Sequence, residues 1–543
     1  MAMTYTAHLD RFAEHCLPPP EQWPEFRFDL PELRYPERLN CATEILDRAV
    51  DERGWGDRMA IRTLRGDLSY RQLQTLSNRI AQVLVEDYGL VAGNRVLLRS
   101  CNNAMLAACW FAVMKAGAIA VATMPMLRER ELATVIEKAR ITHALCDASL
   151  AADLQQAASA HPVLAHVGYF HCGAGDRLDD LEARLTTKSG LFVNVDTALD
   201  DTCIIAFTSG TTGQPKGTMH FHRDVMAICD CFPRSTLRAE ASDVFCGTPP
   251  LGFTFGLGGL LLFPLRAGAS TVLMERLMPP ELLTTVQAYR ATVMFTAPTF
   301  YRMMSPEVGK YDLSSLRKCV SAGEVLPAAT RAQWQQATGI RIIDGIGSTE
   351  MLHIFIAADE DHARPGATGK PIPGYEARVV DEHGRPLPAG QVGRLAVKGP
   401  TGCRYLADPR QAIYVQDGWN ITGDAYLVDA DGYFVYQART DDMIITAGYN
   451  IGGPEVEDAL LRHPAVAEAA VIGVADAERG QVVKAFVVLK PGYAGDAAMA
   501  DALREFVKQQ IAPYKYPRQV EFRASLPRTE TGKLQRFKLR EEN

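Results

Sequence analysis

The chain has 543 residues, 47% hydrophobic and 22% charged, with a formal net charge of −7 at pH 7. That length exceeds one ordinary domain core several-fold, so more than one core is expected, and the apolar share excludes a disordered or collagen-like polymer. Lys and Arg number 57 against 64 Asp and Glu, which excludes the basic excess that binding a nucleic-acid backbone demands.

Residues 1–20 carry Asp10, Glu14 and Pro18-Pro19-Pro20, without the basic-then-apolar order of a secretion signal. The twelve cysteines run from Cys16 to Cys403 with no C-x-x-C pair. That pattern argues against a zinc site, fits a reducing compartment and predicts a cytoplasmic protein. Ala104 to Met126 is apolar, but Lys115 and Gly117 interrupt it and Pro125 closes it. The stretch therefore divides into a buried helix ending near Lys115-Ala116, a turn at Gly117 and a strand over 118–122, and no membrane partner is expected.

Helix-length segments alternate with β-branched runs such as 95–98, 291–295 and 341–343, which predicts an α/β fold with helices on largely parallel sheets. From about Gly374 the texture changes to short strands, 377–380, 393–397 and 433–436, separated by Gly, Pro and Asp; this is a smaller β-rich subdomain. The tail reads as helix 454–462, strands 467–474 and 482–489, helix 497–510 and a strand over 519–522, enough for a separate α+β domain. The expected division is 1–438, with the β-rich subdomain at about 374–438, then a hinge at 439–441 and a C-terminal domain over 442–543.

The sharpest local signal is Thr208-Ser209-Gly210-Thr211-Thr212-Gly213-Gln214-Pro215-Lys216-Gly217, directly after the apolar run 203–207. Four hydroxyls, three glycines and one lysine in ten residues make a loop whose N–H groups and side chains can surround a polyphosphate. Pro215 before the lysine separates it from the Gly-x-x-x-x-Gly-Lys-Ser/Thr loop. The string resembles the phosphate loop of the acyl-adenylate-forming superfamily, which comprises acyl-CoA synthetases, carrier-protein adenylation domains and luciferases. Further matches follow in that superfamily's order as far as Lys533.

Ser321-Ala322-Gly323-Glu324 resembles the turn that contacts adenosine. Asp344-Gly345-Ile346-Gly347-Ser348-Thr349-Glu350 resembles the segment whose backbone flanks adenine, whose threonine meets the α-phosphate and whose glutamate helps hold Mg²⁺. A carboxylate is a hard oxygen ligand suited to that ion. Taken alone, Gly-Ser-Thr-Glu is equally a helix start. In Trp419–Asp424 the resemblance puts Asp424 on both ribose hydroxyls, which an ionised carboxylate can accept bidentately. Arg439-Thr440-Asp441 followed by Gly448-Tyr449 resembles the linker on which the C-terminal domain swings: Arg439 on the ribose, Asp441 as pivot, Gly448 and Tyr449 by the CoA tunnel. Ala438 stands where glycine usually precedes the arginine, and Pro454 lies one place later than usual. Pro527–Leu534 resembles the segment carrying the adenylation lysine, here Lys533. Joining a carboxylate to an α-phosphate brings two anions together, so a cation must offset charge that grows at the transition state. Lys216, Glu350 and Lys533 are the implied catalytic set.

After the phosphate loop comes Pro249–Gly259, where the alternate Phe253 and Phe255 could present one aromatic face to a flat ring. Gly-Phe-Thr-Phe-Gly-Leu-Gly here, with the run from Gly347 to Phe355, resembles benzoate-CoA and 2-aminobenzoate-CoA ligases. That resemblance implies an acid pocket with Phe253, Thr254, Phe255, Gly347 and His353. His353 follows Glu350 by three, so on a helix the two would share a face. His220 and His222 share a strand face with no third ligand and read as structural. The implied activity is an ATP- and Mg²⁺-dependent aryl-CoA ligase working through an acyl-AMP, with an aryl carboxylate, ATP and CoA as small-molecule partners. The alternatives are an aryl-acid adenylation enzyme loading a separate carrier protein and a medium-chain acyl-CoA synthetase. Monomer and homodimer both stay open.

Overall fold

The computed structural model describes residues 5–208, 215–276, 278–440, 442–446, 449–476, 479–511, 513–528 and 534–542, with backbone alone at 445, 449, 450 and 480. Four sheets organise them. In the first, five parallel strands run in the order 166–170, 143–147, 95–99, 119–123 and 202–208, and the strand 216–221 closes the edge antiparallel. The second has six parallel strands, 59–62, 270–272, 244–247, 293–296, 318–321 and 342–347, flanked by antiparallel edge strands. The expected alternation of helix and strand thus folds into two parallel-rich layers.

The helix Ala104–Lys115 shows why the sequence folds this way. Nearly every side chain on it is buried, because it lies within the core shared by both large sheets. Asn103 caps it, its Oδ1 accepting from Leu106 N at 2.9 Å, and the chain turns at Gly117 into the strand Ile119–Thr123 as expected. Lys115 is tolerated inside because it pairs with Asp47; burial nevertheless lowers its pKa, with Asp47 opposing. Among the described residues no helix is long and apolar enough to cross a membrane.

A third, antiparallel sheet comprises 376–380, 393–398, 415–416, 419–428 and 434–439. The last carries the strands Ile444–Thr446, Tyr449–Ile451, Val466–Asp476, Gly480–Leu489 and Gln519–Phe522 with helices Gly453–Leu461 and Ala497–Gln510. The chain is an α/β protein with a large N-terminal part and a small α+β C-terminal part. Pro454 sits in the first turn of its helix, where its missing N–H costs nothing.

Candidate active site

The strands Thr202–Thr208 and Lys216–Phe221 form a hairpin with Thr208 opposite Lys216. Ser209, Gly210, Thr211, Thr212 and Gly213 lie outside the described residues. At the end of the hairpin next to residues 209–214, Lys216 Nζ donates to the Tyr405 hydroxyl at 2.7 Å, and that hydroxyl donates to Glu350 Oε1 at 2.5 Å. Lys216 Nζ is 3.4 Å from the same oxygen and 4.7 Å from the Tyr405 ring centroid. Burial first, and Glu350 second, push the phenol's pKa far up, so it stays a donor. Lysine, phenol and carboxylate form one connected group.

Behind this group lies a dry polar stack. His220 Nε2 is 2.8 Å from the Thr349 carbonyl; a carbonyl only accepts, so Nε2 carries the proton. The other ring nitrogen is 3.5 Å from Asp224, which ion-pairs with Arg404, and all three side chains have 0% exposure. Burial alone would raise the Asp224 carboxyl, but Arg404 and His220 outweigh it and hold it below the ordinary range. The Arg404 guanidinium also lies 3.8 Å over the Phe221 ring, and its carbonyl accepts from Met219 N at 2.7 Å. Arg404 precedes Tyr405 in the chain, so a buried ion pair fixes the backbone that presents the phenol.

A second set gathers at the carboxyl ends of the other large sheet. Gly323 follows the strand Lys318–Ser321 with φ +88°, and Glu324 accepts from Thr299 N and Oγ1 at 3.3 and 2.8 Å. Asp344 sits opposite Ser321, and Gly345 opposite Ala357. Burial raises the Asp344 carboxyl to about 7, opposed by Arg331 and Ser321. Among the described residues Thr208 Oγ1, Glu324 Oε1 and Asp344 Oδ1 are buried without a hydrogen-bond partner; a bound polar ligand is one way such groups are satisfied. On the third sheet Asp424 faces Arg439 across the ladder at 3.3 Å, and burial raises the Asp424 carboxyl with Arg439 opposing. Asp441, Gly448 and Lys533 lie outside the described residues, and only the backbone of Tyr449 is described. The flanks of Lys533, Arg528 and Leu534, pair with each other, and Arg528 Nη1 is 4.0 Å from Glu324 Oε1.

The segment after Pro250 corrects an expectation. It is a short helix, Thr254–Leu257, not an extended run, so Phe253 at its N-cap and Phe255 within it do not share a face. Phe255 turns to Phe295 and His353, with centroids 5.5 and 5.7 Å away. Phe253 and Thr254 instead line a narrow apolar cleft with Trp110, Ala122, Ala206 and Leu251. Ala206 is two residues before Thr208 on the same strand. His353 is 3% exposed and packs edge-on to Phe263 at 4.5 Å, seated on Gly258, where a Cβ would come within 2.4 Å of its ring. Burial draws its pKa down to about 3, the Phe255 backbone opposing, so the ring is neutral at physiological pH.

A second correction concerns 348–353, which is a turn and not a helix: it folds the strand Ile342–Gly347 back onto Ile354–Ala357. Ser348 Oγ accepts from Met351 N at 3.2 Å, as a cap would, but Leu352 has φ +68°, which no continuing helix allows. Gly347 permits the return, since a Cβ there would lie 2.7 Å from the His353 carbonyl oxygen. Glu350 and His353 therefore diverge, one toward Lys216 and the other into the aromatic cluster. His222, likewise, is the first residue of a helix and not on the strand face of His220. Trp110 and Tyr405 were missed because each joins from a part of the chain far from the hairpin; His220, expected to be structural, supports the Thr349 carbonyl from the hairpin's second strand.

Sheet order, hairpin and polar group define a nucleotide-dependent, adenylate-forming fold, and comparison with known proteins agrees. The chain belongs to the AMP-binding enzyme family, which matches residues 46–405, with the AMP-binding enzyme C-terminal domain matching 455–533. It is 37% identical over 516 residues to a benzoate–CoA ligase of Thauera aromatica, covering 94% of this chain and 97% of that one. It is 32% identical to a 3-hydroxybenzoate–CoA ligase of Aromatoleum sp. (strain CIB), covering 93% and 97%. Among solved structures, the anthranilate CoA ligase AuaEII in complex with anthranoyl-AMP superposes with a TM-score of 0.89 at 33% identity, covering 94% and 99%.

Proposed function

We propose that this AMP-forming acid–thiol ligase activates an aryl carboxylic acid of the benzoate or 2-aminobenzoate type and transfers it to CoA. One observation carries the reading: the apolar cleft with Trp110, Phe253 and Ala206 shares a strand with Thr208, so a flat ring held there would aim its carboxylate at the phosphates beside Lys216. The benzoate- and anthranilate-specific names of the relatives support the same class.

In the first half-reaction a carboxylate oxygen attacks the α-phosphorus of ATP, a new O–P bond forms and pyrophosphate leaves. In the second the CoA sulfur attacks the acyl carbon and AMP leaves. Lys216 and the hydroxyl-rich residues 208–213 hold the phosphates, Thr349 meets the α-phosphate, and Lys533 offsets the charge that grows there. Gly323, Glu324, Asp344 and Gly345 bound adenine, while Asp424 and Arg439 take the ribose. Both described bonds to Glu350 use Oε1, a donor set that fits Mg²⁺ at this carboxylate. Bound there, the ion supplies charge neutralisation for the departing pyrophosphate. Residues 442–543 then swing about Asp441, withdrawing Lys533 and bringing Gly448 and Tyr449 to the CoA, and closure keeps water from the mixed anhydride.

The test is thioester formation with free CoA over benzoate, hydroxy- and aminobenzoates, phenylacetate and medium-chain fatty acids. Benzoate-type acids should lead. Preference for a flexible fatty acid would refute the ring pocket, and transfer only to a carrier protein would refute CoA as acceptor.

A further inference from the structure

Three side chains from distant parts of the chain meet at the base of the glycine-rich hairpin, at the end away from Lys216. Cys203 is the second residue of the strand Thr202–Thr208, His222 begins the helix His222–Asp230 that follows the hairpin, and Cys41 lies just before the helical stretch Thr43–Asp47. Their ligand atoms, two sulfurs and an imidazole nitrogen, all lie within 4.8 Å of one another. Each residue has 0% exposure. Cys41 Sγ is 3.2 Å from His222 Nδ1, and the Cys41 N–H donates to that nitrogen at 3.2 Å. Among the described residues His222 Nε2 is buried with no hydrogen-bond partner.

This is an awkward set to bury for packing alone, since unpartnered ring nitrogens in an apolar core cost stability that hydrocarbon there would not. It is a natural set for a thiophilic cation. Zn²⁺ takes thiolate at about 2.3 Å and imidazole at about 2.0–2.1 Å in a tetrahedron, whose edges are then roughly 3.3–3.8 Å, within reach of these atoms by small side-chain rotations. The ligand form of cysteine is the thiolate. The absence of a C-x-x-C pair argued against zinc only for ligands close in sequence; here they are brought together by the fold.

We propose that Cys41, Cys203 and His222 together hold a zinc ion that fastens the base of the glycine-rich hairpin to the amino-terminal helical segment. Binding releases the two thiol protons and involves no electron transfer. The ion is distinct from any Mg²⁺ at Glu350: soft ligands and full burial suit the one, a hard oxygen beside phosphates the other.

The test is elemental analysis of untagged full-length protein, produced with zinc in the medium and gel-filtered after a brief chelator wash. The expected result is about one zinc per chain, falling about tenfold or more in Cys41→Ser and Cys203→Ser. Cys246→Ser, in a different core cluster, should keep its zinc. If the site variants do not fold, the unaltered protein still decides: an organomercurial should release zinc to a chromophoric chelator, and protein produced in cobalt should show thiolate-to-cobalt absorption in the near ultraviolet. A zinc-free wild-type protein, or zinc content unchanged in both cysteine variants, would overturn the proposal.

Discussion

The two sides of the cleft are built on opposite principles. On one, Lys216, Tyr405 and Glu350 each depend on the others, and the backbone that presents Tyr405 rests on the wholly buried Asp224–Arg404 pair. On the other, Trp110, Ala206, Leu251 and Phe253 line a cleft without charge, and in the aromatic cluster of Phe255 and Phe263 the His353 ring is held neutral by burial. Substitutions on the first side should therefore damage folding or rate, because a removed partner strands another polar group. Those on the second should redistribute preference among acids.

The largest effect is expected at the foundation of the polar side. Asp224→Ala leaves the Arg404 guanidinium buried without its partner and should cost about 3–5 kcal/mol in chemical denaturation; a loss below about 1 kcal/mol would mean the pair is not a foundation. Next comes Lys533→Ala, which should slow acid-dependent adenylate formation by ~10²-fold or more while leaving thioester formation from supplied aryl-AMP near wild type. Equal damage to both half-reactions would contradict a role confined to the first. Tyr405→Phe keeps the ring beneath Lys216 and removes only the hydroxyl bridge, so kcat/KM for ATP should fall roughly tenfold, about 1–1.5 kcal/mol; an unchanged value would break the link between lysine and carboxylate.

Across the cleft, Ala206→Val adds two methyl groups' bulk to the wall beside Trp110. It should move the ratio of kcat/KM between 2-aminobenzoate and benzoate by about tenfold, toward the smaller acid, with little change in stability. A uniform loss for both acids would place Ala206 outside the pocket. A pH dependence is expected at Asp344. Its folded pKa, about 7, exceeds the ordinary carboxylate value near 4, so the folded form holds a proton the unfolded form has lost. Stability should decline as pH rises from about 4 to about 7 and then level off. Asp344→Asn should remove that slope, read from denaturation midpoints across the window, and a slope that persists would assign it elsewhere.

Much of the fold could be read directly. The helix Ala104–Lys115 and its following strand, the C-terminal helix Ala497–Gln510 and the strand Gln519–Phe522 lie where periodicity and breakers put them, because their local preferences agree with their burial. What escaped were features decided by tertiary contact. Ser348-Thr349-Glu350 has the chemistry of a helix start, yet strand pairing of 342–347 with 354–357 prevails over it. Phe253 and Phe255 alternate as on a strand, but Gly256, Gly258 and the adjoining leucines are drawn into a helical turn packed in the shared core. Tyr405 is 189 residues from Lys216, and nothing local marks it as a partner.

The central claim is that one strand, ending at Thr208, joins the ring-binding cleft to the phosphate site. A crystal structure with a bound aryl-AMP tests it most directly. The ring should lie against Trp110, Ala206 and Phe253, with the phosphate within hydrogen-bonding distance of Thr349 and the glycine-rich hairpin. A ring found outside that cleft, or a phosphate remote from Thr349, would contradict the account.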